Sequence, residues 1–352
     1  MSHLALMPHM TYPEAIVVGL IQGATELFPV SSLGHNVLIP ALVGGSWKTD
    51  LNVASKESPY LAYIVGLHVA TAIGITTYFW RDWVRILRGF FTSFQPSVTR
   101  PLKIRTVDQR LAWMIILATI PVGLVGLVFE HKFRVLFGVP SRAAIFLIVN
   151  GVILYAGERF RTRKSREADE MILQERELAL VSANGASSGA TVPGATVAGS
   201  VGAHSSGQRA ARQQEVNSAI AADQRLTAFG YVQAIIIGSA QILALLAGIS
   251  RDGVTMVAGM FRGLSREDAA RFAFLLATPV ILAAGVLKVG DLFGPLGNGI
   301  RPQILAGSIV SGVAAYLSVR FLMKYFQTRT LTPFAVYCVA FGLASYIYLA
   351  VK

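Results

Sequence analysis

Charged residues are scarce in this chain of 352. Asp, Glu, Lys and Arg make up 14% of it, against about 25% in ordinary soluble domains. Hydrophobic residues make up 53% and the mean hydropathy is +0.55. That shortage excludes a soluble enzyme or binding module and implies an integral membrane protein. Cysteine is nearly absent. The single one, Cys338, lies inside the last apolar stretch, which excludes a disulfide framework and a thiolate metal site and leaves the redox compartment unread. A cleavable signal is also missing from Met1 to Pro13, which lack the basic start and small-residue cleavage pattern of such peptides. Insertion is therefore expected to use the chain's own helices.

What is present is a set of apolar runs. Six are long enough to cross a bilayer, which takes about 20 helical residues: 60–80, 111–129, 142–158, 268–290, 303–323 and 332–351. Apolar pieces at 14–28 and 229–249, each broken and followed by a short one at 34–44 and 254–263, read as re-entrant hairpins. These two regions repeat one another. Tyr12 to Gly34 and Tyr231 to Gly253, 219 residues apart, share Tyr12/Tyr231, Ala15/Ala234, Ile16/Ile235, Gly19/Gly238, Gln22/Gln241, Leu27/Leu246, Ser31/Ser250 and Gly34/Gly253 without a gap. Each copy is an apolar run broken at Pro or Gly and closed by a Ser and Gly cluster, the way duplicated membrane proteins build a site from interrupted helices.

The net charge of +12 is unevenly placed, and Lys and Arg favour cytoplasmic loops. The connection 81–110 carries Arg81, Arg85, Arg88, Arg100, Lys103, Arg105 and Arg110; the third span is followed by Arg159, Arg161, Arg163, Lys164 and Arg166; and 324–331 carries Lys324 and Arg329. All three are expected in the cytoplasm, with the poorer loops 130–141 and 291–302 outside. Each half holds one broken segment and three spans, an odd number of crossings, so the halves are inverted and both termini lie outside. The expected fold is an all-α integral membrane protein with an inverted-topology repeat, six transmembrane helices and two re-entrant helical hairpins. Its parts are a first repeat over 1–158, a cytoplasmic, largely disordered linker over 159–228 and a second repeat over 229–352. Within the linker, 168–181 reads as a short charged helix and 182–215, rich in Ala, Gly, Ser, Thr and Val, as disordered.

Two polar clusters sit at the breaks. Gln22, Glu26, Ser31, Ser32 and His35 flank Pro29, with Gln22 and Glu26 four apart on one helical face. A carboxylate and a histidine in apolar sequence are costly and mark a functional site or a mutually satisfied pair. Ser250, Arg251, Asp252, Gly253 and Thr255 follow Gly248. An arginine at a glycine-flanked break that opens a helix suits an anion such as a phosphate or diphosphate, held by the guanidinium and free backbone N–H groups. Arg251 pairing with Asp252 or Glu26 is the plainer alternative. Together the clusters hold the inventory for phosphoanhydride hydrolysis: a hydroxyl or imidazole to attack phosphorus, a base, and an anion clamp. Glu26 also suits a divalent cation that bridges the diphosphate. Spacing leaves the nucleophile open between Ser32, activated by His35 or Glu26, His35 itself, and water. Inverted repeats with broken helices also build transporters, so a polyprenyl-phosphate flippase is the second reading; a structural scaffold explains neither cluster.

QGATELFPVSSLGH and GISRDGVT closely resemble the two signature regions of the undecaprenyl-diphosphate phosphatases of the bacitracin-resistance type. TYFWRDW at 77–83, SREDAARFAFLLATPV at 265–280 and TPFAVY at 332–337 resemble the same family, so that only 165–225 falls outside the likeness. The resemblance implies six transmembrane helices with two re-entrant hairpins. It also implies a phosphoanhydride hydrolase that converts undecaprenyl diphosphate to undecaprenyl phosphate, recycles the peptidoglycan carrier lipid, confers bacitracin resistance and faces outward from the bacterial cytoplasmic membrane. By position it makes Glu26, Ser32, His35 and Arg251 catalytic and places Gln22, Ser31, Ser250, Gly253 and Thr255 against substrate. It implies a divalent cation, Mg2+ or Ca2+, on Glu26 and Asp252. The expected partners are a lipid diphosphate and the bilayer, with a homodimer allowed and no nucleic acid. Three positions depart from the family's usual pattern: Ala247 stands for a proline, Asp252 for a serine, and Gln22 for a second glutamate.

Overall fold

A computed structural model describes residues 10–51, 59–94, 106–184, 219–294 and 299–352, and among these every regular element is helical. The first half contains α1 (Tyr12–Thr25), α2 (Ser32–Val43), a single turn and a half α3 (Gly45–Asp50), α4 (Pro59–Tyr78), α5 (Trp80–Ser93), α6 (Val107–Phe137) and α7 (Pro140–Asn184). After α8 (Ala219–Ala228), the second half contains α9 (Tyr231–Ser239), a 3-10 segment (Ala240–Leu245), α10 (Arg251–Phe261), α11 (Arg266–Phe293), α12 (Arg301–Thr328) and α13 (Thr332–Val351). Five of these (α6, α7, α11, α12 and α13) contain stretches long and apolar enough to cross a bilayer on their own, and two bent pairs, α4 with α5 at 88° and α8 with α9 and its 3-10 continuation at 95°, each form a broken span or a re-entrant loop. The two hairpins are α1 with α2, and α9 and its 3-10 continuation with α10. The protein is thus an all-helical, multi-pass membrane protein of the expected class.

Element boundaries differ from the sequence expectation where no helix breaker intervenes. The loop expected at 130–141 is largely absorbed by α6, which runs on to Phe137 and stops before Gly138 and Pro140. The charged helix expected at 168–181 is not separate: α7 continues without interruption from the span to Asn184, because no Gly or Pro follows Gly157 until Gly185. Pairs such as Arg163 with Glu167, 3.0 Å apart, support the solvent-exposed part. The proposed linker is therefore helical at both described ends, 159–184 and 219–228, while 185–218, which carries most of the expected disorder, lies outside the described residues.

The two halves interlock rather than stand side by side. α1 packs on α12 of the second half, and its counterpart α9 packs on α6 of the first. The contacts fall at equivalent glycines. A Cβ on Gly19 would collide with the carbonyl of Gly307, and one on Gly238 with the carbonyl of Ala118. With Gly23, which meets the carbonyl of Ser311 in the same way, Gly19 forms a small-xxx-small stripe that lets helices approach closely where the hydrophobic effect cannot drive them together. Tyr63 of α4 donates its hydroxyl to the Ala15 carbonyl and ties α1 to the neighbouring span.

Charge gathers on one face. Arg85 donates to Asp82 at 2.6 Å, Asp223 at 2.7 Å and Asp108 at 3.2 Å. Arg271 adds bonds to Asp82 at 3.0 Å and Asp223 at 2.9 Å. Arg225 grips Asp268 at 2.7 Å; Arg266 pairs with Glu158, and Glu158 also accepts the Leu331 N–H at 3.1 Å. These contacts tie the starts of α6 and α11 to α5, α8, the middle of α7 at Glu158 and the α12–α13 connection at Leu331, so the three basic connections read from the sequence share one side of the molecule.

Candidate active site

Both hairpins break in the same manner, and the breaks meet. Ser31 caps α2, its hydroxyl accepting the Gly34 N–H at 3.2 Å, and Ser250 caps α10, accepting the Gly253 N–H at the same 3.2 Å. Each cap satisfies one of the orphan donors of a helix start. The first residues inside the two helices, Ser32 and Arg251, therefore occupy equivalent places, each at the positive end of a helix dipole. A Cβ on Gly34 would sit 3.0 Å from the Gly248 Cα, and one on Gly253 3.3 Å from the Pro29 Cβ, so a side chain at either position would push the tips apart by a few tenths of an ångström. Asn150 of α7, fully buried, joins the tips: its amide donates to the Pro29 carbonyl at 2.9 Å and its oxygen accepts the Ser250 N–H at 3.0 Å.

Glu26 stands at the centre of what the tips enclose. Its Oε1 pairs with Arg251 of the other hairpin. Its Oε2 accepts the Ser32 hydroxyl at 2.5 Å and the Gln22 amide at 2.7 Å. Gln22 is held in turn by Asn36, which donates to its Oε1 at 2.5 Å. A buried carboxylate with this many donors is well satisfied, and the Ser32 hydroxyl hands its proton toward a base already in place. The structure thus brings Gln22, Glu26, Ser32 and Arg251 into one constellation.

Other expected residues are placed differently. His35 is buried and both ring nitrogens are engaged away from Glu26 and Ser32: Nδ1 lies 2.8 Å from the Ser31 carbonyl and Nε2 2.7 Å from the Tyr337 hydroxyl. Its ring stacks on Tyr337 and Phe341 of α13, so it fastens α2 to that span. The hydroxyls of Ser31 and Ser250 are occupied as caps, and the Thr255 hydroxyl donates to the Arg251 carbonyl at 2.7 Å, steadying the first turn of α10. Asp252 is 1% exposed and neither carboxylate oxygen has a hydrogen-bond partner. Among the described residues no group of three or more His, Cys, Asp or Glu side chains is placed to hold a metal ion by itself.

Asn36, His68 and Asn150 were not singled out from the sequence. His68 of α4 places Nε2 3.7 Å from Glu26 Oε2 and 3.4 Å from the Gln22 amide nitrogen. The signal was available: a polar or ionisable residue inside an apolar span is a functional candidate by default, and His68 and Asn150 each interrupt such a run.

Comparison with known proteins agrees with the geometry. The family model described as bacitracin resistance protein BacA matches residues 15–213 and 194–344. The chain belongs to this BacA family. It is 54% identical to the undecaprenyl-diphosphatase of Mycolicibacterium paratuberculosis over 344 residues, covering 98% of this chain and 99% of the relative. It is 50% identical to undecaprenyl-diphosphatase 2 of Frankia alni, covering 96% and 97%, and 34% identical to undecaprenyl-diphosphatase 2 of Burkholderia ambifaria, covering 93% of each. In this BacA family member both matched halves contribute to the site, the first through Glu26 and Ser32 and the second through Arg251.

Proposed function

We propose that this protein hydrolyses undecaprenyl diphosphate to undecaprenyl phosphate and inorganic phosphate, recycling the carrier lipid of peptidoglycan synthesis and thereby conferring bacitracin resistance. The observation that carries this reading is the Ser32 hydroxyl, 2.5 Å from Glu26 Oε2, on a carboxylate that also holds Arg251. Relatives named undecaprenyl-diphosphatase over almost the whole chain support the substrate. A flippase needs an anion clamp but has no use for a hydroxyl and a base in contact, which favours hydrolysis over the transport reading.

The chemistry follows from the placement. Substrate oxygens displace Glu26 from Arg251, whose guanidinium grips the terminal phosphate beside the free N–H groups at the starts of α2 and α10. Ser32 Oγ attacks the terminal phosphorus as Glu26 accepts its proton; the bond to the bridging oxygen breaks and undecaprenyl phosphate leaves, taking that proton from Glu26. The carboxylate so freed deprotonates a water that attacks the phosphoserine, and Glu26 returns the proton to Ser32 Oγ as phosphate is released. Arg251 and the two helix starts hold the charge that develops on the phosphoryl oxygens.

A divalent cation, Mg2+ or Ca2+, fits the donors present. Hard cations of this kind bind through one or two carboxylates and complete their shell with phosphate oxygens, and Glu26 and the unpartnered, buried Asp252 provide the carboxylates. When bound, the cation neutralises diphosphate charge. We place the site's mouth on the side away from the ion-paired face, outside the bacterial inner membrane, with the basic connections in the cytoplasm. One chain supplies both hairpins, so a homodimer is not required for the chemistry.

The test is phosphate release from undecaprenyl or farnesyl diphosphate by the detergent-purified protein, with and without EDTA, alongside Glu26→Gln and Arg251→Ala. Release lost on chelation and in both variants is expected. A folded wild type that releases no phosphate overturns the hydrolase reading in favour of the flippase.

A further inference from the structure

Gln22 leaves the first motif with one carboxylate where the family resemblance expects two, and α4 supplies a donor in its stead. The Nδ1 of His68 lies 2.8 Å from the Ile64 carbonyl. A carbonyl only accepts, so Nδ1 carries a proton, and in the neutral ring Nε2 presents its lone pair. That lone pair faces the site, 3.7 Å from Glu26 Oε2. Between the two lies the Gln22 amide nitrogen, 2.7 Å from Glu26 Oε2 and 3.4 Å from His68 Nε2, turned toward them because Asn36 occupies its oxygen. An imidazole nitrogen and a carboxylate oxygen, from two different helices, thus converge on one positively polarised group. The His68 side chain is 29% exposed against 2% for Glu26, so a ligand can approach from its side.

We propose that Glu26 Oε2 and His68 Nε2 form a mixed oxygen and nitrogen ligand pair for the divalent cation, with diphosphate oxygens and the Asp252 carboxylate free to join its shell. This rests on the hydrolase reading for the substrate but not for the metal. A separation of 3.7 Å is spanned by one ion bonded to each atom at about 2.1 Å. The Nδ1–H bond to a backbone carbonyl is the outer contact that orients metal-bound histidines and fixes their tautomer. An entering ion displaces the Gln22 amide nitrogen, while Gln22 Oε1 keeps its bond from Asn36. An imidazole beside the carboxylates would extend the ions accepted from Mg2+ and Ca2+ to Mn2+ and Zn2+.

The experiment uses the purified full chain, Mn2+ as the probe, and pulsed electron paramagnetic resonance with 15N-histidine labelling. Wild type and His35→Gln are expected to show hyperfine coupling of bound Mn2+ to a histidine nitrogen. His68→Gln is expected to lose that coupling and to bind Mn2+ about tenfold or more weakly. Bound Mn2+ without nitrogen coupling in wild type, or coupling unchanged in His68→Gln, overturns the proposal, and so does a wild type that binds no Mn2+. The wild-type spectrum decides even if the variant misfolds. Phosphate release from the same preparation separates the two readings: release without nitrogen coupling sinks the ligand pair alone, and coupling without release sinks the hydrolase alone.

Discussion

The two hairpin tips use one backbone device for opposite ends. Ser31 and Ser250 cap their helices through identical 3.2 Å bonds, and the next residue stands at the same point of each helix start. In the first copy that residue is Ser32, the proposed nucleophile, whose hydroxyl donates to Glu26; in the second it is Arg251, whose guanidinium pairs with the same carboxylate. A duplicated frame first guarantees two converging helix starts, each suited to an anion, and divergence at a single equivalent position then divides attack from charge stabilisation. The base itself, Glu26, has no counterpart, since Leu245 holds its place in the second copy.

Substitutions at the equivalent pair break this division most severely. Ser32→Ala removes the attacking oxygen, and phosphate release is expected to fall at least about 10³-fold. Acid quenching during turnover should trap labelled phosphate on wild type and none on the variant; trapping on Ser32→Ala would return the nucleophile to another group. Arg251→Ala is expected to cost about 10²–10³-fold. Arg251→Lys should recover only part of that loss, because an ammonium restores the charge without the guanidinium's paired donors. A KM effect with kcat unchanged would mean that Arg251 only binds the ground state.

The staple between the tips ranks next. Asn150→Leu leaves the Pro29 carbonyl and the Ser250 N–H without their partner at a fully buried point, which costs about 1–3 kcal/mol for each group. A lower Tm together with a fall in kcat is expected in detergent, since Glu26 and Arg251 reach one another only while the tips touch. Wild-type kcat in the variant would show that the glycine contacts alone hold the tips.

How much of this was legible depends on whether a feature is local or paired. The hairpins, the spans and the duplicated tips could be read because hydropathy, breakers and an ungapped repeat are written along the chain. Gln22, Glu26, Ser32 and Arg251 could be grouped because the repeat itself predicts that their breaks meet. His35 reads as catalytic from its position in the family resemblance, yet its orientation is set by Tyr337 and Phe341, about 300 residues away, and no local pattern shows this. His68 and Asn150 were hidden for the same reason in reverse: each is an isolated polar residue in an apolar helix whose partners, Glu26 and the two tips, lie on other elements. Helix ends are hard to read where charge begins without a breaker, as in α7, whose charged stretch continues the helix to Asn184.

The smallest expected effects sharpen the comparison of the caps themselves. Ser31 is the one non-glycine residue with a positive φ among those described, at 68°, whereas Ser250 sits at −86° in ordinary extended backbone. Losing a serine cap to glycine costs only a few tenths of a kcal/mol, but a strained backbone stores about 1–3 kcal/mol. Ser250→Gly should therefore lower Tm slightly, while Ser31→Gly should leave it equal or higher, because glycine accepts a positive φ without penalty. Equal losses at both sites would show that the hydroxyls, not the backbone, distinguish the two breaks. A gain only at Ser31 would locate the site's stored strain beside the nucleophile, where it holds Ser32 at the start of α2 and aimed at Glu26.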